Sequence, residues 1–313
     1  MNELEWIERF VAPRRGKTDD PQLLGPGDDA ALLPIPPGEV SVLTVDGFVE
    51  GRHFRDGWLD DAELAERLIA VTVSDLAAMG AIPQGLLLSF ETPELPGRLG
   101  ERFFEGLDRG LKRAGVLLGG NVVRSQGGFS LTATAIGSVV ASEALRRDAI
   151  RVGDTLAVSG LPGRAGQARD AIADGRSPQP PLSREAWTAP PDRVPLGRAL
   201  VAEGVRAAID LSDGLLRDLK TFLEASACGA TLDLEAIFAA ARAEGISEAN
   251  VLNGGEDYEL LIAGDRAAIE RAFTAAHLPP PILVGTTSKE LGLRDCEGEL
   301  FEDPRGWDPF REA

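Results

Sequence analysis

The side chains best able to do chemistry are five aspartates that stand apart along the sequence, several of them beside glycine or other small residues. They are Asp29, Asp46, Asp75, Asp210 and Asp213. Carboxylate oxygens are hard ligands that suit Mg²⁺, which usually keeps some of its water and bridges to substrate phosphates. Phosphoryl transfer built this way relies mainly on positioning and charge neutralisation. The acids therefore predict metal-dependent phosphate chemistry.

Two glycine segments carry part of a nucleotide-binding motif but fail on context. Gly16-Lys17-Thr18 resembles the end of a P-loop, yet Val11 stands where the first glycine belongs. Residues 25–30 fit the letters of a dinucleotide fingerprint, but no apolar strand precedes them and a proline-rich stretch follows. We reject both motifs. An acidic turn between extended segments is the alternative for residues 25–30, since adjacent aspartates repel a pyrophosphate unless they hold metal.

Residues 44–54 combine Asp46 with two glycines and His53, one of the two histidines in the chain. The apolar residues before Asp46 predict a short strand, and Gly47 and Gly51 predict a sharp turn after it. Asp46 is then expected at a strand end, aimed into a cleft. The alternative is an ordinary hairpin with a surface acid and a half-exposed histidine.

Helical spacing of apolar residues predicts a helix over 60–79, which positions Asp75. A charge among small and apolar residues is costly to bury unless it is paired or coordinated, so Asp75 is a candidate ligand, with a solvent-reaching acid as the alternative. A strand over 85–90 and a helix over 98–114 follow. Gly119-Gly120-Asn121 then predicts a strand that ends in a paired-glycine turn, whose N–H groups can approach a phosphate.

The polar stretch 141–153 precedes a new apolar strand at 155–158 and predicts a domain boundary. Six prolines in residues 175–195 indicate a surface connection between helices. Ser212 is the expected N-cap of a helix over 213–227, which would gather Asp210, Ser212 and Asp213 at a helix N-terminus. Helix capping alone is the alternative for this trio. Residues 253–258 predict a glycine-led acidic turn before a strand at 259–263.

Composition excludes several function classes. The net charge of -18 disfavours nucleic acid as a partner, since a polyanion is repelled unless metals or a local basic patch intervene. No apolar run approaches the ~18 residues that span a bilayer, and the acidic N-terminus does not have the pattern of a signal peptide. The two cysteines cannot form a disulfide framework or a zinc site by themselves. We expect a cytoplasmic protein with neither nucleic-acid nor membrane partners. Its α/β (α+β) pattern predicts two domains, residues 1–140 and 141–313.

The order of the motifs resembles the thiamine-monophosphate kinase family, which shares its superfamily with aminoimidazole ribonucleotide synthetase. The matching segments are Gly27-Asp28-Asp29-Ala30, Thr44-Val45-Asp46 with His53, Val73-Ser74-Asp75-Leu76-Ala77-Ala78-Met79-Gly80, Gly119-Gly120-Asn121, Ile209-Asp210-Leu211-Ser212-Asp213-Gly214-Leu215 and Gly254-Gly255-Glu256-Asp257-Tyr258-Glu259-Leu260. The resemblance covers nearly the whole chain. It implies ATP-dependent phosphorylation of thiamine monophosphate to thiamine diphosphate, by direct in-line transfer with Mg²⁺.

The resemblance also implies roles for individual residues. The implied metal ligands are Asp29, Thr44, Val45 (through its backbone), Asp46, Asp75, Asn121, Asp210 and Asp213. The implied catalytic residues are Asp75, Asp210 and Asp213. The implied nucleotide contacts are Gly120, Asn121, Arg147 and Ser212, and the implied substrate contacts are His53, Glu256 and Trp307. A cationic thiazolium over the indole of Trp307 would be a favourable cation–π arrangement. Whether His53 acts as a base is left open.

The family architecture implied is two domains, each a mixed sheet backed by helices. The N-terminal sheets of two subunits pair into a barrel across a homodimer, and the C-terminal domain completes the nucleotide and substrate site. The chain departs from the family pattern at Asn121, where an aspartate is usual, and at Val122-Val123, where threonines are usual. An amide oxygen can still ligate Mg²⁺ but brings no charge, so this metal site is expected to be weaker or differently filled.

Rival assignments within the superfamily meet specific obstacles. A selenophosphate synthetase needs a reactive cysteine near the N-terminus, and none occurs before Cys228. The hydrogenase maturation factor needs a C-terminal cysteine, but this chain ends in Ala313. Aminoimidazole ribonucleotide synthetase remains an alternative, although its substrate does not call for Glu256 and Trp307. A non-catalytic nucleotide- or metal-binding relic is the alternative from another class, and the other acids argue against it.

Overall fold

The computed structural model describes residues 1–14, 22–178, 184–301 and 306. The chain divides into two compact units. The first contains Met1–Leu76 and Ile82–Ala141, and the second contains Ala77–Ala81 and Ser142–Ala313. Each unit has one sheet with helices packed against it, which confirms the predicted mixed α/β class. No helix in the described ranges is long and apolar enough to cross a membrane.

The first unit has four strands in the order β1-β4-β2-β3. Its helices and strands along the chain are α1 (Glu3–Trp6), which is followed by a π-helical segment (Ile7–Val11) and a 3₁₀ turn (Ala12–Arg14), then β1 (Val40–Val49), α2 (Asp61–Ala78, which ends in the second unit), β2 (Ile82–Thr92), α3 (Glu101–Ala114), β3 (Val116–Arg124) and β4 (Ser130–Val139). The β2–β3 pair is parallel and the other pairs are antiparallel. The predicted helix over 60–79 is confirmed as α2, because its apolar periodicity is long and regular.

Side chains alternate between the two faces of this sheet. Thr44 and Asp46 of β1 are half-buried and share their face with Ala133 and Ala135 of β4, which are fully buried. The intervening Val45 is on the opposite face, with 62% of its surface exposed. Thr44 and Asp46 therefore lie on the inward face of β1, and the exposed Val45 lies on the outward face.

Two predicted glycine turns are wrong. β1 continues through Gly47, which pairs with Thr132 of β4, so Asp46 lies inside the strand and not at its end. The turn comes later, where Gly51 has a φ of 85°. β3 likewise runs through Gly119 and Gly120. A Cβ on Gly120 would lie 2.1 Å from the carbonyl oxygen of Leu88, so a close strand contact explains this glycine.

The second unit has six strands in the order β10-β7-β9-β5-β8-β6, with β7–β10 parallel and the other pairs antiparallel. Its strands are β5 (Thr155–Val158), β6 (Ala207–Asp210), β7 (Gly229–Leu232), β8 (Leu260–Gly264), β9 (Ile282–Ser288) and β10 (Gly292–Asp295). Its helices are α4 (Arg164–Ala173), α5 (Glu185–Thr188), α6 (Val194–Ala202), α7 (Leu215–Ala225), α8 (Glu235–Ala243), α9 (Glu248–Asn253) and α10 (Arg266–Ala275).

Two further predictions about this unit need correction. Residues 175–195 are not simply a surface connection, because their described part includes α5, whose Trp187 is fully buried. Helix α7 begins at Leu215, and its N-cap is Gly214 with no capping side chain, so Ser212 is not the cap. The backbone before α7 instead folds around an acid within the helix, Asp218, as described below.

Candidate active site

The first group of candidate residues lies where β1 faces α2. The hydroxyl of Thr44 donates a short hydrogen bond to Oδ2 of Asp75. The pKa of Asp46 is raised to about 6 by burial and by the negative charge of Asp75, while a hydrogen bond with the Thr72 side chain opposes both effects. A divalent cation beside these two carboxylates would relieve their repulsion. The donors present, two carboxylates and a hydroxyl, are of the type that Mg²⁺ prefers.

A second group lines a cavity of about 850 Å³ in the same unit. Asp29 and Asn121 both line it, as do Gly120 and the strand residues Ser89 and Thr132. Asn121 pairs with Ser89 in the sheet, and Ser89 pairs with Thr132, which is opposite Gly47. By alternation, the side chain of Asn121 is therefore on the face of the sheet opposite to Asp46.

The predicted metal ligands of the first unit thus form two sets. Thr44, Asp46 and Asp75 are together, and Asp29 is with Asn121 at the cavity. Val45 presents its side chain to the opposite face and can offer a metal only its backbone carbonyl. In the part of the chain that the structure describes, no three His, Cys, Asp or Glu residues form a group that could hold a metal ion. A shared set of ligands therefore stays a prediction.

His53 is fixed in the turn that follows β1. Its Nδ1 accepts a hydrogen bond from the backbone N–H of Val49 at 3.0 Å, and its ring stacks on Phe48 with centroids 5.9 Å apart. A neutral imidazole that accepts at Nδ1 carries its proton on Nε2. The half-buried ring is therefore oriented to donate from Nε2.

In the second unit, the predicted trio follows β6. Asp210 ends that strand and is buried, while Ser212 and Asp213 belong to the loop before α7. Oδ2 of Asp218 accepts the backbone N–H groups of Ser212 and Asp213, each at 3.0 Å, and that of Gly214 at 3.2 Å. Three successive N–H groups therefore donate to one buried carboxylate, and these hydrogen bonds fix the conformation of the loop.

Its surroundings disfavour the charged form of Asp218. Burial and the nearby negative charge of Asp213 raise the pKa of Asp218 to about 7, although the three N–H donors oppose the rise. Asp213 in turn pairs with Arg217 at 3.5 Å. The loop therefore presents the acid Asp213, and its backbone is held by the buried carboxylate of Asp218.

The segment that contains Glu256 packs directly on this loop. Backbone N–H groups of Glu256 and Tyr258 donate to the carbonyl oxygens of Ser212 and Leu211, both at 2.8 Å. Glu256 and Tyr258 have φ angles of 63° and 50°, a region that costs energy for residues other than glycine. Such outliers persist only where the surrounding structure holds them, and they are frequent at functional sites.

Two buried acids hold the Glu256 segment in place. Asp257 accepts the N–H groups of Gly163 and Ala165 at the start of α4, at 2.6 and 2.9 Å. Burial raises the pKa of Asp257 to about 7 against the effect of these donors. Glu259 forms a two-bond pair with the guanidinium of Arg193, at 2.6 and 2.7 Å. The residues on both sides of the segment are therefore fixed.

The remaining predicted site residues are less constrained or not described. Arg147 starts a single exposed 3₁₀ turn, Arg147–Ala149, and its carbonyl oxygen accepts a hydrogen bond from Ser226 at 2.8 Å. Trp307 lies outside the described residues.

Comparison with known proteins identifies the family. Residues 27–139 match the family model described as AIR synthase related protein, N-terminal domain, and residues 151–294 match AIR synthase related protein, C-terminal domain. The chain is 34% identical over 326 aligned positions to thiamine-monophosphate kinase from Escherichia coli (strain K12), with 98% of each chain covered. The chain belongs to the thiamine-monophosphate kinase family.

Solved structures agree with this family membership. Thiamine-monophosphate kinase from Stenotrophomonas maltophilia K279a is 31% identical with a TM-score of 0.79, covering 96% of this chain and 98% of that one. AaThiL complexed with AMPPCP and TMP is 23% identical with a TM-score of 0.74, covering 97% of this chain and 94% of that one. At that lower identity the likeness shows the fold alone.

Two residues that support the candidate site, Asp218 and Trp187, were not identified from the sequence. Asp218 lies on the buried stripe of α7 between Leu215 and Leu219, so an acid at a core position was the available signal. Trp187 carried no such signal, because it stands among prolines in a stretch without apolar periodicity.

Proposed function

We propose that this chain is a kinase that transfers the γ-phosphoryl group of ATP to thiamine monophosphate, producing thiamine diphosphate and ADP in the cytoplasm. The observation that carries the proposal is 34% identity to a thiamine-monophosphate kinase along 98% of both chains. AaThiL, which shares the fold, binds AMPPCP, an ATP analogue, and TMP. The test is the formation of thiamine diphosphate by purified protein with ATP and Mg²⁺, and its absence beside an active relative would refute the proposal.

Asp46, Asp75 and Thr44 would hold Mg²⁺ in the first unit, and Asp29 and Asn121 are the ligands available at the cavity. When bound, Mg²⁺ supplies positive charge that offsets the charge on the triphosphate. The hydrogen bond from Thr44 orients the Asp75 carboxylate in advance, which is the kind of preorganisation that phosphoryl transfer by positioning requires. In the second unit we assign the same role to Asp210 and Asp213.

The nucleotide contact proposed for Ser212 would have to come from its hydroxyl. Its own N–H and the next two are already bonded to Asp218, so they do not form a free nest of donors for a phosphate. The other proposed nucleotide contacts would be the backbone of Gly120, which has no side chain to keep a phosphate away, the side-chain amide of Asn121 and the positive charge of Arg147.

His53, Glu256 and Trp307 are proposed to hold the substrate. The stacked ring of His53 can donate from Nε2 to a phosphate oxygen. Glu256 keeps 20% of its side chain exposed and can attract the cationic thiazolium. Neither contact requires a proton to move, so the general-base role of His53 is not needed for this proposal.

We also infer a homodimer formed through the sheet of the first unit. Its outward face carries five exposed apolar side chains, Leu43, Val45, Val49, Leu87 and Val123, with 66%, 62%, 45%, 39% and 45% of their surfaces exposed. Pairing in the sheet places them on one face. Apolar side chains grouped on an exposed face are typical of an interaction surface, and a second copy of this sheet would cover them.

A further inference from the structure

We propose that Trp187 is a positioning residue that sets the orientation of the Glu256 carboxylate for the cationic part of the substrate. This inference rests on the substrate role proposed for Glu256. The indole Nε1 of Trp187 donates a short hydrogen bond to Oε2 of Glu256. The two residues are 69 positions apart in the sequence, so the contact depends on tertiary structure.

Trp187 is suited to orient another side chain because complete burial fixes the position of its own ring. None of its surface is exposed, and it is among the largest fully buried side chains of the described residues. It lies in the short helix α5, which packs on α4. A buried indole normally directs its single N–H to a partner, and here the partner is a carboxylate, which makes the bond stronger than one between neutral groups.

The backbone of Glu256 is fixed by its neighbours, and the indole of Trp187 adds a hydrogen bond to its side chain. Its N–H is bonded to Ser212 and the following Asp257 is tied to α4. The preceding Gly255 also has a positive φ, and a Cβ there would lie 2.7 Å from the carbonyl oxygen of Ser212. These contacts act on the backbone, whereas the indole hydrogen bond acts on the Glu256 carboxylate and restricts the rotatable bonds of the side chain.

A neutral donor has a specific advantage at this position. The indole N–H orients the carboxylate without cancelling its charge, so the negative charge stays available to a cationic ligand. The guanidinium of Arg169 also approaches this carboxylate, with its Nη1 4.0 Å from Oε2. That guanidinium also contacts Asp170 and the carbonyl oxygen of Gly254, so its charge is divided among several acceptors.

The test is the Trp187→Phe variant, which keeps an aromatic ring and removes the N–H donor. We expect the KM for thiamine monophosphate to rise about tenfold, as the loss of one hydrogen bond to a charged group predicts. The kcat and the KM for ATP should stay within about twofold of wild type. Trp58→Phe, which removes an indole N–H in the first unit, is the matched control and should change none of these constants.

An unchanged KM for thiamine monophosphate in a folded, active Trp187→Phe enzyme would overturn the inference, as would equal losses for both substrates. The failure of the proposed function looks different, because wild-type enzyme would then form no thiamine diphosphate at all. In the Glu256→Ala background, Trp187→Phe should raise this KM by less than about twofold, since the bond is already absent. A further tenfold rise there would show that Trp187 acts only through packing.

A measurement that does not alter Trp187 covers the case in which Trp187→Phe fails to fold. In protein labelled with ¹⁵N-tryptophan, Glu256→Ala should move one of the four indole N–H resonances upfield in ¹H, because a strong hydrogen bond to a carboxylate is lost. Asp170→Asn is the control and should leave all four in place. Four unmoved resonances in the Glu256→Ala variant would contradict the inference.

Discussion

Thr44 on β1 and Asp75 on α2 are joined by a hydrogen bond from the hydroxyl to the carboxylate, although 31 positions separate them in the sequence. Asp46, two residues along the same face of β1, feels the charge of Asp75 strongly enough for its pKa to rise further than burial alone would raise it. This arrangement identifies the centre of the acidic site in the first unit and supports a direct test.

Asp75→Asn should lower kcat by at least about 100-fold, because it removes a charge that a metal ion would use and so several kcal/mol of stabilisation. The fold should persist, since the amide has the same shape and can still accept from Thr44. Steady-state kinetics with circular dichroism would check this. Asp56→Asn, at an exposed position of the same unit, is the control. Wild-type turnover in the Asp75 variant would show a purely structural role.

Gly120→Ala should destabilise the protein by about 1–3 kcal/mol, because the added methyl group would meet the carbonyl oxygen of Leu88 at 2.1 Å. Gly127→Ala is a matched control, since a Cβ there has no neighbour within 4 Å and its change should be within about 0.5 kcal/mol. Urea unfolding measures both. Equal stabilities would show that β3 can move away from β2, and the steric reason given for Gly120 would then be wrong.

Asp257 predicts how stability depends on pH. Its pKa is about 7 in the folded protein and near the ordinary value of 3.8 when unfolded. Between about pH 4 and 7 the folded state keeps a proton that the unfolded chain has lost, so this group makes the free energy of unfolding fall as pH rises.

Urea unfolding of wild type and Asp257→Asn at several pH values would check that sign. The stability of wild type relative to the variant should fall by up to about 4 kcal/mol across this window and then level off. A wild-type protein that gains stability relative to the variant as pH rises would show that the two N–H donors dominate over burial.

Val45→Lys should convert the proposed dimer to a monomer, because each subunit would place a charge in an apolar interface. Light scattering after size-exclusion chromatography gives the mass. Val152→Lys is a matched control in the second unit, with 60% of the valine exposed compared with 62% at Val45. A monomeric wild type, or a dimer that survives in the Val45 variant, would contradict the proposed interface.

The fold was predictable where the pattern is local and long. The helix predicted over 60–79 is observed as Asp61–Ala78, and the strand predicted over 155–158 has those bounds. Gly47 and Gly120 were misread as turns because the feature that keeps them in strands is pairing with distant residues, which a glycine in sequence does not reveal. A glycine in the sequence favours a turn, but here hydrogen bonding to the neighbouring strands keeps both glycines in extended conformation.

The candidate site was predictable in its residue types and less so in its support. Glu256 stood out from its glycine-led acidic turn, but its partner Trp187 is in a proline-rich stretch with no periodic signal. Asn121 and Asp46 were both implied to be metal ligands, yet strand alternation places their side chains on opposite faces of one sheet. Such relationships depend on register, which is set by the whole sheet.

The most direct test of the proposed activity is ³¹P NMR of the reaction mixture with ATP, Mg²⁺ and thiamine monophosphate. The account predicts that the monophosphate resonance disappears while those of thiamine diphosphate and ADP grow in equal amounts. Unchanged thiamine monophosphate, or ATP consumed only to inorganic phosphate, would contradict it.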